Sequence, residues 1–166
     1  MSKRRVVITG LGAVTPVGND IPAFWAAIQE GKCGVAPITL YDTENNKCKL
    51  AAEVKDFQPE QFLDKKELRH MDRFTQFALV AAREAMQDSG LNMEQEDATR
   101  CGTVVSSGIG GIATTAEEHS KGLTKGFDRI SPFYIPMAIA NMAAGQIAIA
   151  YGLKGMCACP VAACAG

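Results

Sequence analysis

The chain has 166 residues, 47% of them apolar and 21% charged, and its formal net charge is −1. This length and composition predict a folded domain with a core of its own, and they exclude a disordered chain and a membrane-embedded one. A net charge so close to zero gives no reason to expect nucleic acid or an anionic membrane as a partner.

The first residues imitate a signal peptide, because basic residues precede the apolar residues 6–8. Gly10, Gly12 and Pro16 interrupt that apolar run, so a buried strand over residues 4–8 followed by a turn explains it better. No run approaches the roughly 20 apolar residues that a membrane span needs. Six cysteines without a leader peptide predict reduced thiols and a cytoplasmic location.

The glycines after this strand resemble a dinucleotide-binding fingerprint but depart from it. The fingerprint requires a third glycine where the helix begins, and the sequence has Thr15 followed by Pro16 there. No acidic residue closes a second strand about 20 residues further on, as that motif expects. We therefore expect no dinucleotide, and the sequence indicates no other cofactor.

Cap residues and apolar spacing predict the elements of the first half of the chain. Asp20 as N-cap and Gly31 as the stop bound one helix. A short strand is predicted over residues 50–54 and a charged helical turn over residues 64–71. The clearest helix is predicted to begin after Asp72 and to end at Ser89-Gly90, with an alanine-rich apolar face that favours close packing.

The second half continues the alternation of strands and helices. A buried strand over 101–106 leads into a glycine-rich turn and then a helix over 113–122. The turn offers backbone N–H groups but lacks the Lys-Ser/Thr pair of a P-loop, so it gives little support for phosphate binding. An extended loop over 129–136, an apolar helix over 137–151 and a last strand follow. This order predicts an α/β layered domain with a mainly parallel sheet.

The last strand runs into Cys164, which lies between alanines and a glycine. Small neighbours let a substrate approach the sulfur, so Cys164 is a candidate nucleophile, with a buried inert cysteine as the alternative. A metal site with Cys157 and Cys159 has no common zinc spacing, and we expect no metal. A Cys-His hydrolase would need His70 or His119 to reach Cys164, which the local sequence does not support.

Seven motifs in chain order resemble those of the β-ketoacyl-acyl-carrier-protein synthases, and most closely those of the elongating type II enzymes. They are Val7-Ile8-Thr9-Gly10-Leu11-Gly12, Thr15-Pro16-Val17-Gly18, Met71-Asp72-Arg73-Phe74, Asp88-Ser89-Gly90-Leu91, Ser107-Gly108-Ile109-Gly110-Gly111, Ser131-Pro132-Phe133 and Ala163-Cys164-Ala165. The resemblance implies a thiolase-like layered α-β-α fold. Residues 1–166 would form the N-terminal half of its duplicated structure, as one half-domain.

The resemblance also implies a reaction. Cys164 would accept an acyl chain from acyl-carrier protein as a thioester, and condensation with malonyl-acyl-carrier protein would follow by decarboxylation, in fatty-acid elongation. The family takes two histidines and a lysine for this second step from its other half. His70 and His119 lie in no matching context and are expected to be solvated, so we expect the 166-residue chain alone to be inactive as a synthase and not to condense acyl groups. A non-catalytic structural half is the alternative.

Further residues correspond to family positions. Ile109 corresponds to the residue that gates the acyl pocket, and a second set corresponds to the segment that lines the pocket of the neighbouring subunit of a homodimer: Tyr134, Ile135 and Met137. Four basic residues fall where the family meets its acidic carrier protein: Lys65, Lys66, Arg69 and Arg129. Core or dimer packing explains the apolar residues equally well, and a solvated helix start explains the basic ones nearly as well.

Overall fold

The computed structural model describes residues 4–166, which divide into two compact units. The first unit comprises the chain up to Gln58 together with Val80–Gly90, and the second comprises Pro59–Leu79 and Leu91–Gly166. In the described part of the chain, no helix combines the length and the apolar character required to cross a bilayer. The α/β class predicted from the order of elements is confirmed.

The first unit contains helix α1 (Ile21–Gln29) and a small antiparallel pair of strands, β1 (Ala36–Pro37) and β2 (Leu50–Ala51). The predicted bounds of α1 are confirmed, since the Asp20 carboxylate accepts a hydrogen bond from the Ala23 N–H at 2.7 Å. Gly31 follows the helix with a φ of +67°, a conformation that glycine adopts without steric cost. Strand β2 falls within the strand predicted over residues 50–54.

The strand predicted over residues 4–8 does not form, and that prediction is wrong. Val6 and Ile8 are 94% and 83% exposed, and no strand among residues 4–166 pairs with this segment. Its continuous apolar character is typical of a strand with neighbours on each side. Without a hydrogen-bonding neighbour, β propensity alone does not make a strand, because backbone groups need partners.

Residues 10–13 are instead fastened to the C-terminal half of helix α3 (Arg73–Ser89), which belongs to the same unit. Asp88 accepts a hydrogen bond from the Leu11 N–H and Glu84 accepts one from the Ala13 N–H, each at 2.9 Å. Gly10 and Gly12 lie so close to the helix backbone that a Cβ at either position would collide with it. These glycines therefore serve helix packing, which is consistent with the departure from a dinucleotide fingerprint.

The second unit contains α2 (Lys65–Leu68), the first turns of α3, α4 (Ile112–Lys125), α5 (Tyr134–Ala138) and α6 (Met142–Tyr151). Its strands β3 (Thr103–Val104) and β4 (Cys157–Ala158) pair in parallel. The described residues therefore contain one parallel and one antiparallel pair, where the sequence predicts a larger, mainly parallel sheet. Helix α6 supplies the core beneath the parallel pair through the buried residues Ala143, Ala144 and Ile147.

Two predictions for residues 129–151 need correction. The loop predicted to be extended contains a 3₁₀ turn (Phe127–Arg129) and the short helix α5. Pro136 is tolerated in α5 because first-turn N–H groups have no intrahelical partner. The predicted helix over 137–151 is broken, since Ile139 is extended (φ −69°, ψ 138°) and α6 begins only at Met142.

Asp72 joins the N-termini of two helices of the second unit. Its Oδ1 accepts a hydrogen bond from the Phe74 N–H in α3 at 3.2 Å. Its Oδ2 accepts bonds from the N–H and the Oγ1 of Thr114 in α4, at 3.0 and 2.7 Å. A carboxylate is stabilised at both positions, because the first turn of a helix presents unpaired N–H groups and a positive dipole end. The predicted cap of α3 is thus confirmed, and its second role in α4 has no local signal.

Candidate functional site at the edge of the parallel strands

The candidate site lies where strands β3 and β4 end. Because the two strands are parallel, the segments that follow them, 105–111 and 159–166, leave from the same edge of the pair. In α/β proteins this edge is the usual place for ligands and reactive groups. The glycine-rich turn and Cys164, which the sequence singles out separately, therefore belong to one edge.

Cys164 lies in a 3₁₀ turn (Ala163–Ala165) and is exposed. The alternative of a buried cysteine therefore does not hold in this structure. The Ala165 N–H donates to the Ala162 carbonyl at 3.0 Å, which closes the turn around it. Ala163 has a φ of +49°, in the left-handed region that residues with a Cβ seldom occupy. Such outliers concentrate at functional sites, where the surrounding contacts hold them in place.

One side-chain hydrogen bond connects the two segments at this edge. The Ser106 hydroxyl donates to the Pro160 carbonyl at 2.6 Å, directly beyond the last backbone bond, from the Val105 N–H to the Ala158 carbonyl at 3.1 Å. Gly166 lies against the same serine, so that a Cβ on Gly166 would collide with the Ser106 Oγ. The segment that carries Cys164 is therefore contacted by Ser106 on both sides of the cysteine.

The glycine-rich turn presents Ile109, which is 69% exposed. The Ser107 Oγ accepts a hydrogen bond from the Gly110 N–H at 3.0 Å, and Gly110 has a φ of +83°. The Gly111 N–H donates to the Ala138 carbonyl of α5 at 2.9 Å, so the turn and α5 lie side by side. Ile109 is thus held on a defined turn with its side chain open to solvent.

The other predicted pocket residues all lie on α5. Ile135 is 58% exposed, whereas Tyr134 and Met137 are half-buried. The structure therefore places all three beside the turn that carries Ile109, through the contact between Gly111 and Ala138.

The predicted carrier-protein residues are exposed but do not form one element. Lys65 and Lys66 lie on α2, and Arg69 directly follows it. Arg129 lies in the separate 3₁₀ turn before α5. The Asp64 carboxylate caps α2 by accepting from the Lys66 N–H at 2.6 Å, which places a negative charge among the basic residues.

Both rival chemistries lack supporting geometry in residues 4–166. His70 stacks on the ring of Phe133 with centroids 3.8 Å apart, and His119 lies exposed on α4. Neither histidine hydrogen-bonds Cys164 within the described part. The Cys159 thiol donates to the Ala140 carbonyl at 3.4 Å. No group of three or more potential ligands close enough to hold a metal ion occurs in the described residues.

Glu118 fastens the segment before α5 to α4, a contact that the sequence does not reveal. Its carboxylate accepts a hydrogen bond from the Ser131 N–H at 2.7 Å and pairs with Lys121 at 3.1 Å. The hydrogen bond from the Ser131 backbone, followed by the contact with Lys121, lowers the pKa of Glu118 below its ordinary value of 4.5. Glu118 therefore holds the segment before α5 through its ionised carboxylate.

Solved structures define the class of this fold. A ketosynthase/chain length factor described as the ishigamide ketosynthase matches with a TM-score of 0.83 and 27% identity, over 95% of this chain and 40% of its own. A ketosynthase solved in complex with a type II polyketide synthase acyl-carrier protein, at 24% identity and a TM-score of 0.75, shows the same fold over 93% of this chain. The fold is that of the N-terminal half of the thiolase-fold ketosynthases, as predicted.

Sequence comparison gives the family. The model of the beta-ketoacyl synthase N-terminal domain matches residues 3–166. The chain is 46% identical to a 3-oxoacyl-[acyl-carrier-protein] synthase 2 of Synechocystis over 165 residues, and 48% identical to one of Coxiella burnetii over 164 residues. Each of these matches covers 99% of this chain and 40% of the relative's length. The chain belongs to the β-ketoacyl synthase family, over the N-terminal domain of that family.

Proposed function

We propose that this chain is the acyl-accepting part of a 3-oxoacyl-[acyl-carrier-protein] synthase of fatty-acid elongation, with Cys164 as the nucleophile. The observation that carries the proposal is the position of Cys164, exposed and in a closed turn at the carboxyl edge of β3 and β4. The similarity to synthases of this name over nearly the whole chain supports it.

The first step is an acyl transfer. The deprotonated Cys164 sulfur attacks the carbonyl carbon of the acyl thioester on the carrier protein, and a new C–S bond forms as the tetrahedral intermediate develops. The bond to the pantetheine sulfur then breaks, and that thiolate takes up the proton that Cys164 lost. Backbone N–H groups are the usual stabilisers of the oxyanion in such a step. Ile109 at the turn and the residues of α5 would limit the acyl chain beside the sulfur.

The second step is decarboxylative condensation with malonyl-acyl-carrier protein. Loss of carbon dioxide from the malonyl group leaves a carbanion that attacks the carbonyl carbon of the Cys164 thioester. A C–C bond forms and the C–S bond to Cys164 breaks, so the sulfur leaves as a thiolate and the elongated 3-oxoacyl product stays on the carrier protein. This step needs groups that stabilise an enolate and position the carboxylate. His70 is stacked on Phe133 and His119 points from an exposed helix, so neither histidine suits this role. Residues 1–166 alone would therefore accept an acyl group without condensing it.

Carrier-protein binding would use the exposed basic residues, and the chain would act in the cytoplasm as part of a homodimer. Apolar side chains exposed around α5 support the dimer: Phe133 at 42%, Ile135 at 58% and Ile139 at 40% exposure. The positive charges of α2 support binding of the carrier protein, because charges at the rim of an interface raise the association rate of an acidic partner, and this effect weakens as salt rises. Replacing both lysines of α2 with glutamate (Lys65→Glu and Lys66→Glu) should slow acyl transfer from the carrier protein at low salt and leave transfer from acyl-pantetheine unchanged.

The test of the proposed function uses an acylated carrier protein as the donor. The chain should gain the mass of one acyl group, and Cys164→Ala should abolish the gain. The matched control is Cys48→Ala, which removes another exposed thiol in the other unit and should leave the gain intact. Radiolabelled malonyl-acyl-carrier protein should give no condensed product with either protein. Acyl gain in Cys164→Ala would overturn the assignment of the nucleophile, and condensation by the 166-residue chain would overturn the division of the two steps.

A further inference from the structure

The segment that carries Cys164 leaves the parallel strands at Pro160, and proline prevents the ladder from continuing there. The register pairs Thr103 with Cys157, and the Val105 N–H donates to the Ala158 carbonyl at 3.1 Å. In a parallel ladder the next bond would run from the N–H of residue 160 to the carbonyl of Val105. Pro160 has no N–H, so this ladder bond is missing.

The Ser106 hydroxyl connects the two segments beyond this gap through the other backbone group of residue 160. Its Oγ donates to the Pro160 carbonyl at 2.6 Å, across 54 residues of sequence. This bond is the last link between the strand pair and the turn of Cys164 on its N-terminal side. A hydroxyl–carbonyl bond of this length is well formed, so it fixes the position of the Pro160 carbonyl.

The same serine limits the turn on its C-terminal side. Gly166 lies so close to Ser106 that a Cβ on it would collide with both the Oγ and the Cβ of the serine. Between these two contacts, Ala163 adopts a φ of +49° immediately before Cys164. A residue with a side chain keeps this conformation only where its surroundings hold it.

We propose that Ser106 is a positioning residue for Cys164. Ser106 takes no part in bond making. It bonds the Pro160 carbonyl before the cysteine and lies against Gly166 after it, and these contacts keep the turn in the geometry from which the sulfur attacks. The inference rests on the proposed function, since it concerns the rate at which Cys164 accepts an acyl group. A small misplacement of a nucleophile lowers the reaction rate steeply, so the loss of the Ser106 contacts should be measurable as slower acylation.

The test is single-turnover acylation of Cys164 by acyl-pantetheine over a range of donor concentrations. Ser106→Ala should lower the maximal rate about three- to tenfold, with the half-saturating donor concentration unchanged. Ser106→Thr keeps the hydroxyl and should retain most of the rate. Ser120→Ala is the matched control, because it removes an exposed hydroxyl that bonds only within α4, to the Ala116 carbonyl at 2.8 Å. It should acylate like the unchanged chain.

A second readout separates positioning from a general loss of structure. Iodoacetamide is small and needs little orientation, so Ser106→Ala should alkylate Cys164 at close to the original rate, with Cys48 as the reference thiol in the same molecule. If Ser106→Ala slows acylation and alkylation of Cys164 equally, or leaves the maximal acylation rate unchanged, the positioning role of Ser106 is overturned and the proposed function is not. If the unchanged chain alkylates Cys164 but takes no acyl group, the proposed function falls, and this inference falls with it.

Discussion

Replacing Asp72 with asparagine tests the contact that joins the N-termini of α3 and α4. The buried carboxylate accepts a bond from Phe74 at the start of α3 and two from Thr114 at the start of α4. An amide has a single oxygen, so if it keeps the bonds to Thr114, its NH₂ group faces the Phe74 N–H. A buried N–H left without an acceptor costs about 1–3 kcal/mol. Loss of the charge near two helix N-termini adds about 0.3–1 kcal/mol for each helix.

Asp72→Asn should therefore lower the free energy of unfolding by about 2–4 kcal/mol, measured by urea titration followed by circular dichroism. Asp20→Asn is the matched control, since Asp20 is an exposed N-cap and asparagine caps helices equally well. Thr114→Val removes only the hydroxyl bond and should cost about 1 kcal/mol. If Asp72→Asn is no more destabilising than Asp20→Asn, the carboxylate does not join the two helices in the way described.

Two further changes have expected outcomes. Gly110→Ala should lower the melting temperature more than Gly31→Ala. Both residues have positive φ values, +83° and +67°, but only a Cβ at Gly110 meets neighbouring backbone; equal losses would contradict this reason. The folded-state pKa of Glu118 is lowered mainly by the Ser131 N–H, so its contribution is present above the ordinary value of 4.5 and is lost as pH falls through the lowered pKa. Glu118→Gln should thus reduce the loss of stability on acidification, whereas Glu117→Gln on the exposed face should leave it unchanged, and identical acid titrations of the two variants would count against the assignment.

Local signals predicted the helices well. Asp20 and Gly31 bound α1 where the structure places its ends, and the apolar face after Asp72 marks α3 to its last residue, Ser89. These signals work because capping and amphipathic spacing are properties of neighbouring residues. The strand predicted over residues 4–8 failed for the opposite reason, because a strand needs a partner that local sequence does not specify.

The small residues around Cys164 indicate a candidate nucleophile, and that role stays a prediction; the structure places the residue exposed, beyond the end of β4. Two long-range contacts had no local signal in the sequence. Ser106 and Pro160, which meet at the candidate site, are 54 residues apart, and Asp72 and Thr114, which join α3 to α4, are 42 apart. No periodicity or cap rule connects such pairs, because their proximity is a product of the folded chain.

The break between α5 and α6 was also beyond the local signals. Residues 137–151 are mostly apolar and rich in alanine, a composition that favours one continuous helix. The interruption at Ile139 coincides with the contact between the Ala138 carbonyl and the Gly111 N–H, a tertiary hydrogen bond at 2.9 Å. The Ala138 carbonyl accepts from the glycine-rich turn. Helix propensity is overridden where such a long-range contact uses a backbone group that a continuous helix would need.

Peptide mass spectrometry after a single exposure of the chain to acylated carrier protein shows which sulfur takes the acyl group. The chain has six free cysteines, four of them exposed. We expect the acyl group on the peptide that contains Cys164 and on no other peptide. An acyl group spread evenly over Cys33, Cys48, Cys157 and Cys164, or absent from Cys164, would contradict it.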